Sequence, residues 1–527
     1  MAAQSIYIDD SVLARDVGGL LAVLEHLFPV RFQGGGASGD ALLGRISIGL
    51  GEGTSADMPV RVPTLIVPAA IGRSGDASLV YTRIRFADDT EVPWPYRGRS
   101  ITVRAELDAS VRAALASSAH KVLAADAEGR PIWTLAEHHP IRIHRTALCL
   151  PHAPLGNDAG LAASEERFIQ VLPLFHFLRE ITGPEGFSNP PLRAAFIIDD
   201  PNLHWPTYGY VDYRAIAAST RRDRYHVALA TIPLDAWWVH GKTAEIFRTH
   251  ADGLSLLIHG NNHAQQELAQ GYSDEVIAAL LQQAIARIRQ LEAKSGLDVS
   301  RVMVPPHGAC SSRVLAGLPG QGFESACISA ASLRAHNAGQ GWTNNLGLAP
   351  SELVESCPVL PRWAFDRASD TILLAAAYLG QPLILRGHHQ DLKNGLDLFH
   401  DFASKINALG DVHWGSLGEL SRLNYRRRIE GSTMHVQPLG TRIVVKAPDG
   451  IETIQIETGG LDWRVLQPQI TLDYTSGRSA EASVVGGRTY DFFRHRRPAS
   501  VAPPNATGAK LILRRILTEA RDRLRFN

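Results

Sequence analysis

Short apolar runs recur through the middle of the chain: Ala194–Ile198, Val227–Ala230, Leu254–Ile258, Val302–Val304, Ala326–Ile328, Pro382–Leu385 and Val412–Trp414. Each has the length of a buried strand, and helical patterns separate several of them. The clearest helix runs from Ser273 to Lys294, where Ile277, Leu280, Ala284, Ile288 and Leu291 fall on one face. Ser273 is the predicted N-cap, Asp274 and Glu275 suit the positive helix start, and Gly296 suits the stop. Seven or eight such repeats between Pro190 and Asn424 predict a parallel sheet, open or closed into a barrel.

The flanks read differently. From Met1 to Ser188 a helical pattern (Ser11–Phe28) mixes with strand-like runs at Arg45–Gly49 and Arg61–Pro68. Val122–Thr134 reads as strand, turn at Glu128-Gly129, and strand. This predicts an α/β domain of unassigned role, ending in the helix-breaking stretch Gly183–Pro191. From residue 428 to 500, strands such as Thr441–Ala447 and Glu452–Glu457, joined through Pro448-Asp449-Gly450, predict a small β-sandwich. Residues 501–527 close on a basic amphipathic helix, Ala509–Phe526, with Leu513, Leu517, Ala520 and Leu524 on one face. Docking onto its own protein is the expected use of that face, and membrane-surface attachment the alternative.

Composition narrows the classes. Of 527 residues, 45% are hydrophobic, which excludes a disordered chain, and 53 basic residues balance 53 acidic ones, which speaks against a nucleic-acid partner. Cys149, Cys310, Cys327 and Cys357 contain no CxxC pair, so a metal site here is not expected to be a thiolate one. No run approaches the ~20 apolar residues of a transmembrane helix. The start lacks a basic region, and Asp9, Asp10, Arg15 and Asp16 interrupt any signal-like core, so a cytoplasmic location is expected.

Three strand ends carry chemistry. Ala194–Ile198 runs into the carboxylate pair Asp199-Asp200, and parallel α/β folds use the carboxyl ends of their strands as the active face. Leu254–Ile258 ends in His259, with His263 four residues on, a spacing found nowhere else among the 21 histidines. Two imidazoles and one carboxylate suit Zn²⁺, Fe²⁺, Co²⁺ or Mn²⁺ with coordination positions left open. Leu383-Ile384-Leu385-Arg386-Gly387 ends in His388-His389, a source of an acid near such a metal.

Together these segments resemble the polysaccharide deacetylase family, the NodB-homology or carbohydrate esterase family 4 group, over roughly Ala194 to Leu423. The family's Thr-Phe-Asp-Asp-Gly motif is matched by Ile197-Ile198-Asp199-Asp200-Pro201, and His-Ser/Thr-x-x-His by His259-Gly260-Asn261-Asn262-His263. Its Arg-x-Pro motif falls on Val304-Pro305-Pro306-His307-Gly308, and Leu-x-x-His on Leu385-Arg386-Gly387-His388. The resemblance implies a distorted (β/α) barrel of seven or eight repeats and one divalent metal, zinc first, with Co, Mn, Fe or Ni as alternatives. It makes Asp199 the general base, His388 the general acid, and Asp200, His259 and His263 the metal ligands. Asn202, His204, His307, Arg386 and His389 become the expected substrate-binding residues.

The departures from the family are specific. Pro201 replaces a glycine, Gly260 a hydroxyl residue, and Val304 the arginine that orients the base, leaving Arg301, Arg362 and Arg386 to substitute. The expected activity is metal-assisted removal of an N- or O-acetyl group from an acylated carbohydrate. Alternatives on the same residues are hydrolysis of a small non-peptide amide, non-haem iron oxygenation, or a non-catalytic barrel that binds glycans or serves as a scaffold.

Overall fold

The computed structural model describes residues 4–9, 11–34, 42–48, 62–68, 77–116, 120–138, 141–153, 167–183 and 186–495, with 513, 517 and 520. The helix expected over Ala509–Phe526 lies outside the described residues, except that Leu513, Leu517 and Ala520 are helical and exposed. The chain divides into two compact units. One comprises Met1–Phe187, Gly339–Ala349 and Ser369–Leu379; the other comprises Ser188–Ala338, Pro350–Ala368 and Gly380–Asn527.

The first unit holds a nine-stranded sheet of order β2-β1-β3-β4-β9-β8-β7-β5-β6. Its strands are β1 (Gln4–Ile8), β2 (Val30–Gly34), β3 (Leu42–Ile48), β4 (Thr64–Val67), β5 (Ala77–Phe86), β6 (Ser100–Asp108), β7 (Lys121–Ala125), β8 (Pro131–His138) and β9 (Ile141–Thr146). The β2-to-β9 half pairs parallel, and the β9-to-β6 half antiparallel. The helix Phe168–Thr182 buries most of its residues. Its His176 packs edge-on to Trp133 and His144, with ring centroids 5.4 and 5.8 Å away. His144 Nε2 lies 3.0 Å from Glu180 Oε2. Burial, with the nearby His144 second, pushes the His176 imidazole down to about 3.

The second unit is built on a curled sheet of order β17-β18-β16-β15-β14-β13-β10-β20-β19, with β21 also paired to β10. Its strands are β10 (Arg193–Asp199), β13 (Val227–Thr231), β14 (Leu254–His259), β15 (Val299–Val304), β16 (Ser325–Cys327), β17 (Glu352–Val354), β18 (Cys357–Leu360), β19 (Trp363–Ala364), β20 (Leu383–Gly387) and β21 (His413–Trp414). A two-stranded hairpin, β11 (Thr207–Tyr208) and β12 (Val211–Asp212), follows β10. All pairings in the large sheet are parallel except β17 with β18. The sheet is open in its hydrogen bonding, yet β18 and β19 are separated only by Pro361-Arg362. Two residues of chain reach no more than roughly 10 Å between the flanking residues, so the far arms of the sheet curl back toward each other at that link.

The alternation of strand side chains explains where the site forms. One apolar cluster contains Ala195, Ile197, Ala228, Ala230, Leu257, Val302, Val304, Cys327, Leu360 and Ile384. These are alternate positions on neighbouring strands and fill the concave side. One step of two residues beyond Ile197, Leu257, Leu360 and Ile384 come Asp199, His259, Arg362 and Arg386. The polar residues therefore continue the columns that fill the interior.

The helix Asp274–Ser295 begins where expected, with the Ser273 side chain accepting from Val276 N, and stops at the left-handed Gly296. Its buried face includes Ile277, Leu281, Ala284, Ile285, Ile288 and Leu291. Leu280 is half-buried, and Leu281 takes the core position instead.

Beyond residue 424 lie β22 (Tyr425–Glu430), β23 (Thr433–Pro438), β24 (Arg442–Lys446), β25 (Thr453–Glu457), β26 (Trp463–Val465), β27 (Asp473–Ser476), β28 (Ser479–Ser483) and β29 (Thr489–Arg494). They form sheets of order β22-β23-β25-β28-β27 and β24-β29-β26, whose side chains share one cluster containing Met434, Val436, Ile443, Val445, Ile454, Ile456 and Phe492. The strands on either side of Pro448-Asp449-Gly450 do not pair as a hairpin. β24 and β25 belong to different sheets, because both have buried faces to contribute to the shared cluster.

Among the described residues, no helix is long and apolar enough to cross a membrane.

Candidate metal centre

Asp200 is the first residue past β10, and it turns back on itself with φ 83°. Left-handed backbone is uncommon for a residue with a Cβ, and such outliers gather at functional sites. His263 and His307 share it, at φ 54° and 56°. Asp200 Oδ1 lies 3.2 Å from His259 Nε2 and 2.9 Å from His263 Nε2. One ligand atom from each of the three residues lies within 4.8 Å of the other two. His259 Nδ1 lies 3.0 Å from the Val304 carbonyl. With Nδ1–H donated to that carbonyl, Nε2 is the nitrogen that would exchange its proton toward Asp200 for an ion, the usual arrangement of a metal-binding imidazole. The donor set fits a divalent transition-metal ion.

The loop bearing His263 is held by a residue that sequence reasoning did not single out. The buried Glu267 carboxylate accepts the backbone N–H groups of Asn261 (2.7 Å), Asn262 (3.0 Å) and His263 (3.0 Å). Arg287 Nη1 donates to Asn261 Oδ1 (2.6 Å) and Asn262 Oδ1 (2.9 Å). Gly260 lies in the crook of this loop at φ +61°, where a Cβ would collide with Glu267 Oε1 and stand 2.5 Å from Pro306 Cγ. The hydroxyl residue of the resembled motif has no room here. The acceptor that organises the loop comes instead from Glu267, four residues past His263. A lone glutamate in a polar stretch carries no sequence signal for that role.

Asp199 is engaged separately. Arg362 Nη1 donates to both of its carboxylate oxygens at 3.1 Å, and both side chains are buried. Burial alone would raise the Asp199 carboxyl, but the charge of Arg362, then those of His259 and His388, outweigh it and hold it below its ordinary value. Burial would likewise raise Asp200; hydrogen bonds from His259 and His263 hold it well below the carboxylate range. Burial would lower His259, yet the hydrogen bond to Asp200 and the charge of Asp199 raise it. Both carboxylates are thus ionised at neutral pH, and Asp200 with its two imidazoles offers the donor atoms a cation takes.

Of the three arginines considered, Arg362 reaches Asp199. Arg301 donates to Glu292 at 2.9 and 2.7 Å. Arg386 is half-buried, and burial followed by the charge of Arg362 lowers it.

The remaining expected residues lie around this centre. His388 is half-buried, its backbone N–H donates to Asp391 Oδ2 (2.8 Å), and its charge is felt at Asp199 and His307. His307 is exposed, with its ring 5.1 Å from that of His263. Partial burial of its ring, then the neighbouring His263, lowers it. Asn202 is buried: its carbonyl accepts from Tyr213 Oη (2.6 Å) and its Oδ1 from His204 N (3.2 Å). His204 is buried, with Nε2 3.1 Å from the Asp235 carbonyl. His389 is buried, with its ring 5.5 Å from Tyr208 and 6.0 Å from Tyr210. Asn202, His204 and His389 thus brace the loops, while His307 and Arg386 retain exposed surface.

No protein-family model matches the chain, and no curated protein matches it. Among solved structures it is similar to Agd3, a carbohydrate deacetylase, at 10% identity over 94% of this chain and 99% of that one, with a TM-score of 0.46. It is similar to a family 4 carbohydrate esterase from Streptomyces lividans, 14% identical over 43% of this chain and 94% of that one, TM-score 0.28. A peptidoglycan deacetylase, PdaC from Bacillus subtilis, is 15% identical over 45% of this chain and 93% of that one, TM-score 0.26.

Proposed function

We propose that this chain is a metal-dependent hydrolase that removes an N- or O-acetyl group from a carbohydrate or related substrate. The observation that carries the reading is the division of labour between adjacent carboxylates. Asp200 meets two imidazole nitrogens, at 3.2 and 2.9 Å, while Asp199 is turned to Arg362 at 3.1 Å. A binding module has no need to keep a second carboxylate ionised beside a ligand set.

Asp200, His259 and His263 would hold the ion, zinc first among Zn, Co, Mn, Fe and Ni. When bound, such an ion polarises an acyl carbonyl and makes water a stronger acid. Asp199 takes the proton from the attacking water, and Arg362 keeps it ionised and oriented for that task. His388 returns a proton to the departing amine or alcohol. The exposed His307 and the half-buried Arg386 contact the substrate beside the reacting group.

Acetate release from acetylated sugars, with metal analysis of the same purified protein, tests the reading. Turnover that a chelator abolishes and added zinc restores is the expected result. A fully metal-loaded protein that releases no acetate from any acetylated carbohydrate would overturn it. Turnover of small cyclic amides alone would keep the residue roles and replace the substrate.

A further inference from the structure

The hydrolase reading makes no use of the basic closing helix expected over Ala509–Phe526. Of that stretch the structure describes Leu513, Leu517 and Ala520. All three are helical, with Leu513 58% and Leu517 60% exposed. Steps of four and three residues put them on one side of a helix, and Leu524 continues the same stepping in the sequence. Single exposed leucines are ordinary on a folded surface. A row of them at helical spacing is an apolar face with a contact still to make.

The charge in the same stretch says what that contact is. Neutrality over the whole chain conceals a local excess: Lys510–Arg525 holds six basic residues against Glu519 and Asp522, a net charge of +4. Spacings of four and seven residues predict Lys510, Arg514, Arg521 and Arg525 in one row beside the leucines. Nucleic acid would engage the arginines and leave the leucines in water. An apolar groove on a protein would engage the leucines and leave the arginines unused. The surface of an anionic bilayer offers both partners side by side, charged headgroups above an acyl layer. Thirteen residues, three of them proline, separate His495 from Ala509. Fully extended they reach about 45 Å, enough for the helix to lie flat while the folded domains stand clear.

We infer that the C-terminal segment is a membrane-surface anchor, an amphipathic helix that lies in the interface of an anionic phospholipid bilayer. Leu513, Leu517 and Leu524 enter the edge of the acyl layer, and the arginines sit among the headgroups. Arginine suits that position, because its stem lies along apolar surface while its guanidinium donates in a fork to phosphate. A single short helix held by a few leucines and a net charge of +4 binds reversibly and loses its grip as salt rises. The inference stands independently of the hydrolase reading: it concerns where the chain resides, not what it cleaves.

The test is flotation of the full chain with vesicles of phosphatidylcholine alone and of phosphatidylcholine with about one-third phosphatidylserine. The protein should float with the anionic vesicles at about 0.05 M salt, at least about tenfold more tightly than with the neutral ones, and should come off at about 0.5 M. Arg514→Gln/Arg521→Gln/Arg525→Gln should weaken the anionic binding by about tenfold or more. Leu513→Gln/Leu517→Gln should abolish it and leave the melting temperature of the vesicle-free protein unchanged. No flotation with anionic vesicles at low salt would overturn the anchor, as would binding that survives both variants. Two other outcomes would replace it. A melting temperature lowered by Leu513→Gln/Leu517→Gln, with no vesicle binding in the parent, would mean that the helix docks on its own protein. A dimer in the parent that the same variant dissociates, again without vesicle binding, would mean that the face meets a second copy.

Discussion

Arg362 lies 163 residues from Asp199 in sequence, yet one of its guanidinium nitrogens stands 3.1 Å from both carboxylate oxygens, with both side chains buried. The resembled deacetylase motif supplies this cation from the strand end where Val304 stands here. In this chain it comes from the link between β18 and β19, so the same charge arrives at the carboxylate from another strand.

That pairing sets the first expectation. Arg362→Met leaves a buried carboxylate without its partner and should cost about 3–5 kcal/mol of stability. The double variant Asp199→Asn/Arg362→Met should be more stable than Arg362→Met alone, because no lone charge stays buried. Chemical denaturation of the four proteins measures the coupling; strictly additive losses would show that the pair does not interact.

Asp199→Asn by itself should separate base from ligand. Metal content, read by elemental analysis, should stay near that of the parent, while turnover on the true substrate falls by about a hundredfold or more. Asp200→Ala and His263→Ala should instead lose the metal, beyond the roughly 10–100-fold typical of outer partners. Full activity in Asp199→Asn would remove it from the role of base.

Restoring the family's hydroxyl residue should harm this protein. Gly260→Ser places a Cβ against Glu267 Oε1 and Pro306 Cγ at a positive φ, so the His259–His263 loop must shift. Melting temperature and metal affinity should both fall. Glu267→Gln weakens the acceptor of three backbone N–H groups, and its metal affinity should drop by about 10–100-fold, as for other outer partners. Metal titration of both variants decides, and an unaltered affinity in each would mean that the loop is not what orients His263.

His176 makes the first unit acid-sensitive. Its imidazole titrates at about 3 when folded and near 6.5 when unfolded. Throughout that window the unfolded chain binds the extra proton, so stability is fullest above about pH 6.5. It falls as the pH drops toward about 3, by up to about 1.4 kcal/mol per pH unit. Glu180 is held below its ordinary value by the hydrogen bond from His144 and the charge of Arg142, which outweigh its burial. It adds a loss of the same sign as the pH falls below the ordinary carboxylate range. Protection factors on the helix Phe168–Thr182, taken relative to the intrinsic exchange rate at each pH, should fall between about pH 7 and pH 5 in the parent and stay flatter in His176→Gln.

Local signals made part of this legible from sequence. A strand ending in Asp199-Asp200 and another ending in His259 with His263 beyond it are contiguous patterns, as are the Ser273 cap and the Gly296 stop. What stayed hidden is non-local or carried by very short elements. The strands β17, β18 and β19 are two to four residues long, too brief for periodicity to register. Among three candidate arginines, only the curl of the sheet selects Arg362. Glu267 looks like any solvated acid until the backbone folds its loop over it. The separation of β24 and β25 into two sheets depends on which faces find a shared core, and turn chemistry at Pro448-Asp449-Gly450 does not decide that.

The two-residue link between β18 and β19 bears on more than the curl of the sheet. It acts as a clasp, and the Asp199 carboxylate is fastened to the clasp through Arg362. A single backbone cut between Leu360 and Trp363 would leave every proposed metal donor attached to its own strand while loosening the arginine that orients Asp199. In this architecture, grip on the ion and competence to turn over could be lost one without the other.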